Sequence, residues 1–549
     1  MKKLTALAVV MSLAMSLLAG CGSSSGSTDT DSGTKTAADT ETETETQEDT
    51  SDALTVETTL AVNLEAADDQ DTIILCGYIK IPSFDPFEFQ YGSQTDIGDL
   101  IYSPLLFAYS GENEENVRYN VVTAYEPLDD ADGYLLTIRE GITFSNGEAL
   151  TAEDVAFSLE MYATSAYTST DYELIDYCEV VDDTHVRLVL KQPYNSLIPL
   201  LCDVYVVAKD YYEEVGSQGY SDDPVFSGPY VIESIDDATG NIVFVRNEDY
   251  YGDPGYADVI EYQVISDSST SAIALQNGEI NVLSCGGTTY ETLMYSEGID
   301  FLSMSSTTFG QLFFNCEVEP TSDPLFRKAV AYAIDAASYA LAACGNYGYE
   351  LVDTYWTDVW GEAPVEIEGY EYSIEKAQEL LEEGGYETPY DLGAISVTGS
   401  YSDLGVVIQQ CLSDVGITVS IESGESSTWI MNLITGDYTI EYMNENDLTG
   451  DPAVGLKTFL HSSAIGETNM VRYSNEEMDE LLDLAVSTSD SEEKQEALGE
   501  ILQIIYEDCP ALPIFVSCKI LAVTEGLTYS EEEIEPDDHL YLAWWYWAE

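Results

Sequence analysis

Basic side chains are scarce in this chain. Only 17 Lys and Arg stand against 102 Asp and Glu in 549 residues, a formal net charge of −85. A surface of that sign repels phosphate, which excludes binding to a nucleic-acid backbone, and it disfavours a peripheral hold on anionic lipid. The plain reading of the charge is a solvated surface; attraction of cationic ligands is the weaker functional one. Histidine is scarcer still: His185, His461 and His539 are isolated, and ordinary surface or core roles are expected for all three. The chain contains no HExxH, no P-loop, no dinucleotide-binding glycine fingerprint and no Cys–His nucleophile pattern. Acidic pairs occur everywhere, so no single pair points to catalysis, although two carboxylates are all a glycosidase needs. No CxxC and no zinc-type spacing occurs among the ten cysteines. Setting Cys21 aside leaves nine, an odd number, so at least one thiol has no partner within the chain. Scattered single cysteines read best as small core hydrophobes. Internal repeats are also absent.

Long apolar runs are limited to one. Lys2 and Lys3 precede an uncharged stretch from Leu4 to Ala19, shorter than the ~20 residues of a spanning helix. That is the layout of a secretory signal. It stops at Leu18-Ala19-Gly20-Cys21, which resembles the cleavage box of bacterial lipoproteins. The resemblance implies that Cys21 becomes the first residue and carries acyl chains, each buried CH₂ adding ~0.8 kcal/mol of membrane affinity. An ordinary secretory cleavage with an incidental cysteine is the alternative. Residues 22–70 are rich in Ser, Thr, Gly, Asp and Glu, with Lys35 the one basic residue. They carry too little apolar surface to order themselves and read as a tether. Gly22-Ser23-Ser24-Ser25-Gly26 spells G-x-S-x-G outside any strand–turn–helix context and is not a nucleophile elbow.

Order is expected from about Asp71, with "TIILCGYIK" as a strand. "YLLTIRE" and "THVRLVL" alternate as strands, and Thr151 opens a helix with a capping-box-like pair. "GPYVIESI" and "NIVFVRN" form a hairpin around Gly240-Asn241. From Ser266 the pattern alternates helix and strand. Asp323-Pro324 starts a helix whose apolar face runs on through Ala337 to Leu341, and Ser373 caps another that ends at Gly384-Gly385. This alternation predicts a mainly parallel sheet covered on both faces.

Seven stretches in register resemble the extracellular solute-binding protein family 5, the dipeptide- and oligopeptide-type receptors of ABC transporters. They are "FDPF" with "IYSPLL", "YLLTIREGITFSNGEALTAEDVAFSLEMY", "FSGPYVIESI", "SAIALQNGEIN", "DPLFRKAVAYAID" and "IEKAQELLEEGGY". The match covers roughly Asp71 to Gly526. It implies an α/β, two-lobed periplasmic-binding-protein type II fold with a hinge, its first lobe discontinuous and enlarged. The expected division is 1–20 signal peptide, 21–70 tether, 71–265 first lobe, 266–516 second lobe and 517–549 first lobe again. Crossings are expected near Tyr262–Ser266 and Cys509–Ser517.

The resemblance also implies a function: a lipid-anchored receptor, not an enzyme, on the outer face of the bacterial cell membrane. It would close on peptides and deliver them to ABC permease subunits as a monomer, without a cofactor, a metal or nucleic acid. In peptide-binding members an Asp of the second lobe takes the ligand's α-ammonium. The corresponding stretch here is "EYMNENDLTGDP" (Glu441 to Pro452). Asp447 fits with one residue inserted before Asp451-Pro452, and Asn444 stands where the family has Trp. "TYWTDVW" offers Tyr355 and Trp356 as cleft aromatics, with packing as the competing role. Competing functions are an oligosaccharide receptor, a surface hydrolase and a structural adhesin.

Overall fold

A computed structural model describes residues 72–548, apart from 90–91, 108–117, 129–130, 169–171, 173, 192–193, 195–200, 399–400, 425, 449–450, 489–490 and 530–539. Cys21, the tether and His539 lie outside the described residues. In chain order the strands are β1 (Thr72–Gly77), β2 (Leu106–Phe107), β3 (Arg118–Tyr119), β4 (Val122–Pro127), β5 (Gly133–Ile138), β6 (Ile175–Asp182), β7 (His185–Leu190), β8 (Tyr230–Ile235), β9 (Ile242–Arg246) and β10 (Val259–Val264). They continue with β11 (Val282–Cys285), β12 (Ile299–Phe314), β13 (Tyr349–Leu351), β14 (Tyr390–Thr398), β15 (Ile417–Gly424), β16 (Ile440–Asp447), β17 (Ala511–Thr524), β18 (Leu527–Tyr529) and β19 (Trp545–Trp547).

Nine strands form one sheet in the order β16-β12-β17-β11-β1-β10-β9-β8, with β13 also on β17. A second sheet, β4-β5-β7-β6, carries the Ala152–Thr164 helix. The capping pair at that helix forms: the Asp154 carboxylate accepts from the Thr151 N–H at 2.8 Å. The β8–β9 hairpin also forms, turning through Gly240 at φ +84°, a conformation glycine takes without strain.

Two expectations are corrected. The strands after Ser266 are not mainly parallel: β14–β15 is a parallel pair, whereas β11–β17, β12–β17 and β12–β16 are antiparallel. The reason is that β17, from the far end of the chain, inserts between β11 and β12, a pairing no local pattern announces. The helix expected from Asp323 past Ala337 is two helices, Pro324–Ala333 and Ala336–Cys344. Asp335 breaks it by turning extended and capping the Ser338 N–H.

The segment after Ser266 stays beside β1. β11 pairs with β1, and Ala272, Leu275, Ile280, Leu283 and Leu293 close a small core with Cys76 and Ala522. The C-terminal segment returns to the early part of the chain, with Trp544 edge-on to Phe107 at 5.3 Å between ring centres. β12 and β17 are the longest strands, and their ladder breaks between Ser305 and Phe309. Ser306 bridges the break: its hydroxyl donates to the Ser517 carbonyl at 2.9 Å and accepts from the Thr308 N–H at 3.1 Å. The thiols of Cys76, Cys411 and Cys509 are buried and outside any disulfide.

Candidate functional site

β14 and β15 run parallel, and β16 lies alongside β14 in the same direction. The Glu441 carboxylate accepts from the Ser396 N–H at 3.3 Å, and the Tyr442 hydroxyl stands 3.2 Å from the Thr398 N–H. Side chains of β16 thus satisfy backbone donors on the open edge of β14. Thr398 and Gly424 are partners at the carboxyl ends of β14 and β15, the end of a parallel pair at which α/β sheets bind ligands.

Two of the expected site residues lie on β16. Asp447 is its last residue, paired across the ladder with Thr308 beside the β12 break; its side chain lies outside the described residues. Asn444 is 6% exposed. Its Oδ1 stands 3.1 Å from the Tyr339 hydroxyl, and among the described residues its Nδ2 has no partner.

Tyr355 and Trp356 belong to the packed layer under β12. Tyr355 is fully enclosed, between the rings of Phe309 (5.3 Å) and Phe459 (5.5 Å), and its hydroxyl donates to the Gln311 side-chain oxygen. Trp356 meets Trp360 edge-on at 5.5 Å, and its indole N–H donates to the Gly361 carbonyl at 2.9 Å. Packing therefore accounts for both rings, and neither has a face open for stacking in this arrangement. Thr357, next in sequence, ties the loop to the strand break through the Ser306 carbonyl at 3.0 Å.

The acids of this stretch have separate tasks. Asp451 caps the Pro452–Leu460 helix, accepting from the Ala453 and Val454 N–H groups at 2.9 and 3.1 Å, and meets Lys494 Nζ at 2.9 Å. Its carboxylate is fully used. The Asp-Pro pair signals the cap in the sequence; nothing local signals Lys494. Glu441 is 1% exposed, and burial pushes its carboxyl up to about 8. Sequence reasoning missed Tyr339, which is fully buried, because a helical tyrosine on an apolar face reads as core.

The histidines keep local company. His185 Nδ1 lies 2.8 Å from Asp182, and His461 Nδ1 lies 2.7 Å from the Ser463 hydroxyl. Among the described residues no three metal-ligating side chains cluster, and no helix is long and apolar enough to cross a membrane.

Residues 116–467 match the model for bacterial extracellular solute-binding proteins, family 5, middle region. The chain belongs to this family. Family 5 proteins are the substrate-binding components of ABC transporters, not enzymes. The oligopeptide-binding protein AppA of Bacillus subtilis is 24% identical over 488 residues, covering 82% of this chain and 87% of AppA. The glutathione-binding protein GsiB of Escherichia coli K12 is 25% identical over 501 residues, covering 87% of this chain and 94% of GsiB. The substrate-binding protein CtaP of Listeria monocytogenes superposes with a TM-score of 0.75 at 22% identity, covering 88% of this chain and all of CtaP. DppA of Helicobacter pylori, solved with the peptide STSA, gives 0.65 at 21% identity, covering 87% of this chain and 98% of DppA. The family-type two-lobed α/β fold read from the sequence is therefore the fold of this protein.

Proposed function

We propose that this family 5 protein is a lipid-anchored, extracytoplasmic receptor that captures peptides between its two lobes and hands them to an ABC permease. The observation that carries the reading is the family membership across most of the ordered chain. Its relatives AppA, GsiB and DppA are named or solved as binders of oligopeptides, glutathione and a tetrapeptide. The box ending at Cys21, followed by an acidic tether, supports an anchor with reach.

The lobes cross, in this reading, at the break in β12 between Ser305 and Phe309 and at Val516–Cys518 of β17. The first crossing is later than Tyr262–Ser266, because the segment from Ser268 to Leu293 packs on β1. Only two strands then join the lobes, a connection that bends at a few residues. The Tyr290–Tyr347 stack, 5.3 Å and 17° between rings, bridges the same two halves behind that connection. Ligand favours the closed form only through contacts made there. Asp447 is the candidate carboxylate for the ligand's α-ammonium.

The test is mass spectrometry of small molecules released from the purified protein, followed by calorimetry and X-ray scattering with those molecules. Peptides that bind and reduce the radius of gyration support the reading. Release of oligosaccharides, or turnover of the bound molecule, overturns it.

A further inference from the structure

Tyr290 and Tyr347 stack face to face, with 5.3 Å between ring centres and 17° between ring planes. Each ring is held from a different side of the strand break. Tyr290 belongs to the Gly287–Leu293 helix, which packs on the β1 and β11 core through Leu293, and it meets Phe301 of β12 at 4.9 Å, ahead of the break. Tyr347 belongs to the loop between the Ala336–Cys344 helix and β13. The Cys518 N–H donates to the Gly348 carbonyl at 2.8 Å, which fixes that loop to β17 next to Ser517, the residue that meets Ser306. The contact leaves no slack: a Cβ on Gly287 would stand 2.7 Å from Tyr347 Cε1.

Two rings this near and this parallel tolerate little relative movement. A bend at Ser305–Phe309 and Val516–Cys518 carries one half of the molecule against the other. The stack therefore belongs to one lobe arrangement and is lost or weakened in the other. The arrangement described here lies nearer an open one. The murein tripeptide binding protein MppA, in its unliganded open form, superposes with a TM-score of 0.78 at 18% identity, covering 88% of this chain and 98% of MppA. AppA of Bacillus subtilis, in complex with a nonapeptide, gives 0.64 at 23% identity, covering 87% of this chain and 99% of AppA. DppA with its peptide gives 0.65. The better superposition goes with the open form and with the lower identity.

We propose that the Tyr290–Tyr347 stack is a latch that holds the ligand-free receptor open, and that it sets affinity through the lobe equilibrium rather than through ligand contact. The inference rests on the hinge reading given above. When the binding-competent state is a minor fraction, the apparent dissociation constant is the intrinsic one divided by that fraction. Losing the latch raises the closed fraction and tightens binding by the same factor, about three- to tenfold for one aromatic pair.

The experiment uses the full chain with donor and acceptor dyes on keto-bearing residues introduced at Tyr177 of β6 and at Val406 of the Ser402–Asp414 helix, both exposed. Single-molecule energy transfer counts the closed fraction without ligand. Calorimetry measures affinity for the tightest binder of a synthetic pentapeptide library. Tyr347→Ala should raise the closed fraction and the peptide affinity together, each about three- to tenfold. Gly287→Ala suits a helix better than glycine does and keeps both rings, yet drives a methyl into Tyr347; it should act in the same direction. Tyr347→Phe keeps the stack and should stay within about twofold of wild type. Thermal melting checks that each variant folds. An unchanged closed fraction in both Tyr347→Ala and Gly287→Ala, weaker peptide binding by them, or Tyr347→Phe acting as Tyr347→Ala overturns the latch. Absence of binding by every library peptide overturns the peptide reading, and the closed fractions then decide the latch alone.

Discussion

The Lys494 ammonium lies 2.9 Å from the Asp451 carboxylate, with side-chain exposures of 12% and 9%. One end of this contact caps a helix and the other projects from the Ser491–Asp508 helix, so a single ion pair clamps two elements of the C-terminal half. Removing Lys494 takes the cation from a nearly buried carboxylate that keeps its helix-cap N–H donors, so the cost falls below the ~3–5 kcal/mol of a fully unpaired buried charge. Lys494→Met should lower stability by roughly 1–3 kcal/mol in denaturant titrations. A change below about 0.5 kcal/mol would assign the pair to the near-neutral class of surface bridges.

Glu441 predicts a pH dependence with a definite sign. Its carboxyl titrates at about 8 in the folded protein, through burial first of all, against an ordinary 4.5. Below the lower value both states are protonated and the folded state suffers no charge penalty. Between the two values the unfolded chain releases a proton that the folded chain retains. Stability therefore falls as pH rises through this window, at up to about 1.4 kcal/mol per unit. Glu441→Gln keeps an oxygen for the Ser396 N–H and has no proton to lose. Melting temperatures from pH 5 to 8 should converge at the acid end and diverge upward in favour of the variant. Parallel curves would show that Glu441 ionises freely.

Asp447→Asn tests the amine contact. Losing one partner of a desolvated charge pair costs ~2–5 kcal/mol, so peptide affinity should fall at least about thirtyfold. N-acetylation of the peptide should weaken the wild type by a similar factor and add little in the variant. Equal binding of free and acetylated peptides by the wild type would remove Asp447 from this role.

Tyr355→Phe separates core from platform. The variant loses the hydroxyl that serves Gln311 and should lose ~1–2 kcal/mol of stability with ligand affinity unchanged. A tenfold loss of affinity at constant melting temperature would instead make the ring a ligand contact.

Cys21→Ser tests the anchor. Metabolic labelling with a fatty-acid analogue should mark the wild type and leave the variant unmarked, and the variant should appear in the soluble fraction. Equal labelling of the two proteins would refute lipidation at Cys21.

Local chemistry was legible along the chain wherever its cause is local. The Thr151–Asp154 box, the Asp323-Pro324 cap, the Ser373 cap and the β8–β9 turn each depend on residues within a few positions of one another, and each is present as expected. The family was legible for a related reason: its spaced motifs encode the same local elements in a fixed order. The site was legible only as a neighbourhood. "EYMNENDLTGDP" falls on β16 and the helix cap that follows it, where Asp451 is committed to Lys494, 43 positions away; Tyr355 is committed to Gln311, 44 positions away.

Charge, the apolar leader ending at Cys21, the helix caps at Thr151, Asp323 and Ser373 and the family are properties of the sequence by itself, because each follows from composition or short spacing. The tertiary structure alone decided that β17 would enter between β11 and β12, that Tyr355 and Trp356 would turn inward, and that Tyr339 would stand between Gln311 and Asn444. Those outcomes depend on which distant groups compete for one space or one proton, and that competition begins only when the chain has closed on itself.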